Sequence, residues 1–196
     1  MGAGALPVDE HRRRPPIPIV PVDARGGADA LARGADAYGA WLATVTGGTA
    51  EPRVRVIDTA AVEVLAGTLA ARRDAPGMSV GEVALAVDIG RALAARAAAE
   101  GVDVLVARAP DGRDETAARA LAASLTGATE PVTNGPLGAL HRLGDATTAV
   151  LCGVALGAGE RGLGCVCDGL AALAGAAVAA GIEPDLRPRL IAVRTP

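Results

Sequence analysis

Residues 111–127, DGRDETAARALAASLTG, hold the densest set of groups able to meet a ligand. A glycine-bearing loop follows an apolar run and opens into an alanine-rich helix. At such a junction the first helical N–H groups have no partner within the helix and point outward, the arrangement that cradles phosphates. This loop carries Asp111, Asp114 and Glu115 with only Arg113 to balance them. A helix N-terminus bears roughly half a positive charge, and a carboxylate in its first turn gains about 0.3–1 kcal/mol. Asp114 and Glu115 would use that attraction themselves and would repel a dianion. A cationic group, a hydroxyl-rich ligand, or a helix cap with no ligand at all fits Asp111, Arg113, Asp114, Glu115 and Thr116 better. Asp168–Gly169 poses the same choice, because ligands favour the carboxyl ends of parallel strands while Asp before Gly is also ordinary turn chemistry. Asp23, with Arg25 and the Gly26–Gly27 pair, and Asp58 follow candidate strands in the same way.

Other reactive types read more plainly as structure. Cys165 and Cys167 stand two apart on a strand, hence on one face, with no histidine or third thiol near them in sequence. They read as small buried hydrophobes, and no metal site or cofactor is expected. His11 and His141 have no evident partner. Tyr38 and Trp41, three apart on a helix, suit packing onto a sheet, although a flat ring or another subunit could also meet them. Gly153-x-x-x-Gly157 marks a close helix approach, within the chain or across a dimer interface.

The elements that must position these residues follow from patterning. A chain of 196 residues suits one domain with a sizeable core. With no Phe, one Tyr and one Trp, that core must be built from Ala, Val, Leu and Ile. Candidate strands are residues 17–22, 54–57, 102–107, 165–167 and 190–193; Pro18 and Pro21 confine the first to an edge or a loose start. Candidate helices are residues 28–46, 62–73, 79–100, 114–125, 136–142, 145–161 and 170–180. The helix over 79–100 opens with the capping box Ser79-x-x-Glu82 and is stopped by Gly101. Strand–helix alternation predicts an α/β fold: three layers, α/β/α, around a mainly parallel, Rossmann-like sheet. Residues 1–16 form an irregular arm and 17–196 a single domain.

Charge and cysteine usage limit the partners. All 19 cationic side chains are Arg and the net charge is −3, so no basic footprint for nucleic acid exists. The odd count of three cysteines and a charged N-terminus predict a reduced, cytoplasmic setting. No apolar run is long enough for a membrane span.

Two stretches resemble one family. Residues 76–127 and 136–191, the latter with Leu143–Gly144, Gly157–Ala158, Asp168–Gly169 and Pro184-x-x-Arg187-x-x-Leu190-Ile191, are similar to nicotinate-nucleotide:dimethylbenzimidazole phosphoribosyltransferase. That enzyme attaches α-ribose phosphate to the lower base of cobalamin. The resemblance implies a homodimer and a site for a nucleotide and a flat nitrogenous base, and it adds Gly144 and Asp145 to the ligand-facing set. It also exposes departures. The family loop Gly-Glu-x-Gly-x-Gly-Asn-Thr-Thr is matched here by Arg108 to Thr116, with Ala109 in place of the glutamate and Asp114–Glu115 in place of Asn-Thr. The family's Gly-Gly-Phe-Glu/Asp is Gly144-Asp145-Ala146-Thr147. Residues 128–134 stand for a longer family segment, and Pro196 falls where a Ser-His-x-Ser turn and then the catalytic glutamate would follow.

Three functions are therefore expected. The first is a divergent transferase of this lineage acting on a small molecule. The second is a repurposed enzyme of specialised metabolism in which Asp111 and Asp168 do acid–base work. The third is a non-catalytic subunit that pairs with a related chain.

Overall fold

The structure is a computed structural model, and it describes residues 19–21, 35–48, 52–58, 77–109, 115–129, 132 and 134–194. For 19–21, 35–39, 58, 193 and 194 only the backbone is described. The arm over residues 1–16, the helix expected over 62–73, Asp23, Asp111, Arg113 and Asp114 lie outside the described residues.

Five strands form one sheet in which every neighbouring pair is parallel: β1 (Ile19–Pro21), β2 (Val54–Asp58), β3 (Val104–Arg108), β4 (Gly164–Asp168) and β5 (Leu190–Arg194). Their spatial order is β1-β5-β4-β3-β2. Strand β1, which ends on Pro21, takes an edge, where a missing N–H costs no ladder bond. From β2 to β5 the chain advances one strand at a time in a single direction. Right-handed crossovers then send the described intervening helices to one face. These are α2 (Val80–Ala99), α3 (Thr116–Leu125), α4 (Gly135–Leu143), α5 (Ala146–Glu160) and α6 (Leu170–Ile182). The step from β1 to β2 runs the opposite way across the sheet, and α1 (Ala35–Thr46) lies on the other face. The result is the expected three-layer α/β/α fold.

Two apolar clusters record the two faces. On one, Leu105, Ala107, Cys165, Cys167 and Leu190 meet α2, α5 and α6. On the other, Trp41 packs on Val104, Val166 and Ile191, with Leu42, Val45 and Val106 beside it. Gly164 makes room for this indole, since a Cβ there would stand 2.9 Å from Trp41 Cη2. Trp41 therefore packs onto the sheet.

Helix α5 is buried from Ala146 to Ala158, because it is enclosed by the sheet, α2 and α6. Its contact with α2 has no room for side chains. A Cβ on Gly153 would meet the backbone of Val87, 2.9 Å from its Cα and closer still to its carbonyl oxygen. One on Gly90 would meet the carbonyl of Val150 and lie 2.6 Å from the nitrogen of Val154. Gly157 sits similarly against Arg91 and Ala94. The Gly153-x-x-x-Gly157 stripe thus serves a contact within the chain, not one across a dimer.

Local chemistry sets the ends. Ser79 and Glu82 form the reciprocal box, with Ser79 N–H donating to Glu82 Oε2 at 2.7 Å. Gly101 takes φ +75°, and the N–H of Val102 turns back to the carbonyl of Ala97. Asp103 spends its carboxylate on the N–H of Arg53, 2.8 Å away. Val102 finishes the helix and Asp103 binds Arg53, so β3 starts two residues later than the apolar run. A further element, a 3-10 helix over Pro184–Arg189, had no separate signature in the pattern.

Candidate functional site

In a parallel sheet all carboxyl ends share one rim, and the register fixes which residues meet there. Asp58, Arg108 and Asp168 are direct partners across β2, β3 and β4, and Val193 of β5 continues the row. Side chains alternate along a strand. Arg108 and Asp168 are therefore on the face of Val104 and Val166, above the Trp41 cluster.

Asp168 does not stand alone. Nε and Nη2 of Arg108 both donate to its Oδ2, each at 2.7 Å. The aspartate side chain is 19% exposed and the arginine 46%. Among the described residues, Oδ1 accepts no hydrogen bond. Arg108 was absent from the residues nominated from the sequence. Its signal was positional: a cation ending one strand and an acid ending another at the same depth. Reading it required the register, which one-dimensional patterning does not supply.

Gly169 comes next. It opens α6 with φ +86° and ψ 170°, a backbone region that residues with a Cβ essentially do not occupy. A Cβ built there would meet nothing within 4 Å, so the backbone itself faces open space. The first bond of the helix runs from Leu173 N–H to the Gly169 carbonyl, and no side chain of the N-cap residue covers the turn above it. An acceptor on a strand end and an open glycine turn are thus adjacent.

The neighbouring junction differs from expectation. Helix α3 begins at Thr116, two residues later than expected, with Glu115 rather than Asp114 in the capping position. Arg119 N–H bonds the Glu115 carbonyl at 2.8 Å, the first turn of the ladder. The Glu115 carboxylate makes no cap bond and lies 3.7 Å from Arg119 Nη2. Its negative charge stays at the helix mouth, beside the exposed Thr116.

Gly144 and Asp145 each make a local contact. A Cβ on Gly144 would press on Leu140 at 2.6 Å, so the residue closes α4 tightly. Asp145 caps α5: its Oδ1 accepts both the N–H and the hydroxyl of the buried Thr148, each at 2.8 Å. The Asp58 side chain is not described. His141 is half-buried in the last turn of α4, and its carbonyl accepts the Met78 N–H at 2.9 Å.

The thiols belong to the core. Cys152, Cys165 and Cys167 are free and buried. Burial pushes the Cys152 thiol up to about 12, and the hydrogen bond with Cys165, with burial, holds Cys167 well above the ordinary thiol range. Neither is a nucleophile near neutral pH. Among the described residues no group of three or more His, Cys, Asp or Glu could hold a metal ion, and no helix is long and apolar enough to cross a membrane.

Comparison with known proteins matches this architecture. The model of the phosphoribosyltransferase family fits residues 119–195, from α3 to β5, including Gly144, Asp145, Asp168 and Gly169. Nicotinate-nucleotide-dimethylbenzimidazole phosphoribosyltransferase from Thermus thermophilus is similar at 31% identity and a TM-score of 0.55. That match covers 60% of this chain and 43% of the solved one, so this chain spans less than half of that relative. CobT from the same organism gives a TM-score of 0.56 at 22% identity, over 89% of this chain and 67% of that one, a likeness of fold. No curated protein matches. Over residues 119–195 the chain is thus similar to the phosphoribosyltransferase family, and over part of its length to nicotinate-nucleotide-dimethylbenzimidazole phosphoribosyltransferase.

Proposed function

We propose that the chain binds a small molecule at the carboxyl ends of β3 and β4, in the lineage of phosphoribosyl transfer to a flat nitrogenous base. The observation that carries this reading is the conjunction of the Arg108–Asp168 pair with the open turn at Gly169. The relative's name supplies the two ligand types, a nicotinate nucleotide and a benzimidazole. The electrostatics choose between them. Asp168 is compensated by one cation, and Glu115 keeps a negative charge at the mouth of α3. A neutral ring meets no net charge at the pair, whereas a phosphate dianion meets repulsion at the helix.

Isothermal titration of the purified chain tests this directly. Micromolar binding of 5,6-dimethylbenzimidazole is expected, with a much weaker response to nicotinate mononucleotide. Silence for both removes the reading. Homodimer formation in a cytoplasmic setting belongs to the same proposal, and a monomer by light scattering would remove that part.

A second reading is favoured by the pair itself. With an arginine on one oxygen, Asp168 is placed to hold a ligand more than to carry its proton away. The chain then serves as a non-catalytic partner of a related subunit. Acid–base work in specialised metabolism would instead fall to Asp111.

A further inference from the structure

We propose that Arg108 is the positioning residue of this site, and that it sets a preference for flat, neutral ligands bearing an N–H donor. The inference rests on the reading of the rim as a ligand site and goes beyond it by assigning a role to a residue outside the matched 119–195 segment. Two Arg108 donors, Nε and Nη2, reach one oxygen, Oδ2, at 2.7 Å each. Two charge-assisted bonds anchor that oxygen, and with the backbone fixed the planar carboxylate carries Oδ1 with it. Asp168 Oδ1 is thereby held as an acceptor that no described residue uses, next to a backbone turn with open space at Gly169. A planar azole can lie against that turn and donate its N–H to Oδ1. A ring that lacks the N–H leaves Oδ1 unpaired, which disfavours it.

Benzimidazole and 1-methylbenzimidazole differ by that single donor. Titrated into the full chain, benzimidazole should bind about tenfold more tightly or better, the worth of one hydrogen bond to a charged group. Arg108→Gln should erase the preference while leaving the affinity for 1-methylbenzimidazole unchanged, and Arg108→Lys should restore part of it. Because the arginine is half-exposed, the melting temperature of Arg108→Gln should stay within a few degrees. A variant that keeps the full preference, or that loses both ligands equally, overturns the role of Arg108 and leaves the site reading standing. A wild-type chain that binds neither ring sinks the site reading, and the role of Arg108 with it.

Discussion

Gly153→Leu should destabilise the fold by about 3 kcal/mol or more, at the upper end of what overpacking a core costs. The Cβ alone would collide with the Val87 backbone, which cannot swing away as the tip of a side chain can. Relief requires α2 and α5 to separate, and that opens the interface in which Val83, Ala86, Val87, Ala94 and Ala97 are buried. Gly81→Ala on α2 is the contrast. A Cβ there meets nothing within 4 Å, so helix propensity alone acts and the change should be neutral to about 0.5–1 kcal/mol stabilising. Urea unfolding measures both. The Gly153 loss should not vary with protein concentration, because the contact lies within one chain. A loss that shrinks as concentration rises would place the stripe between subunits.

Trp41→Ala is the second large effect, at about 3–5 kcal/mol. Most of the described apolar cover on its face of the sheet comes from α1, through Trp41, Leu42 and Val45. Gly164 is shaped around the indole, so its removal leaves a cavity bounded by the sheet and α1. For a domain of this size the melting temperature should fall by roughly 10 °C. Calorimetry decides the point. A loss below about 1 kcal/mol would mean that α1 is not held by this contact.

The elements were legible because their causes are local. The Ser79–Glu82 box and Gly101 bracket α2 within one residue of expectation, since each acts through neighbours in sequence. The strand runs beginning at Val54 and Leu190 were also read to within a residue at each end. Pro18 and Pro21 pointed to an edge or a loose start, and β1, which ends on Pro21, lies at an edge. Misplaced ends have causes that patterning does not encode. Val102 and Asp103 look like strand but complete a helix end and a bond to Arg53.

The site was legible only in part. Asp168 and Gly169 announced a strand–helix turn, and they form one with an open face. Asp145 and Gly144 were drawn in by resemblance, and the structure shows each in a local contact, a cap on Thr148 and a close fit on Leu140. Arg108 could not be found along the chain, because its partner is 60 residues away and meets it only through the β3–β4 register. Charge at one strand end acquires meaning only when the neighbouring strand is known.

Amide mapping by two-dimensional NMR with 5,6-dimethylbenzimidazole addresses the central claim most directly. The largest shifts should fall on Asp168, Gly169 and Leu170, with Arg108 following and the Gly90–Gly153 interface unmoved. Shifts confined to surfaces away from the strand carboxyl ends, or none at saturating ligand, would contradict it.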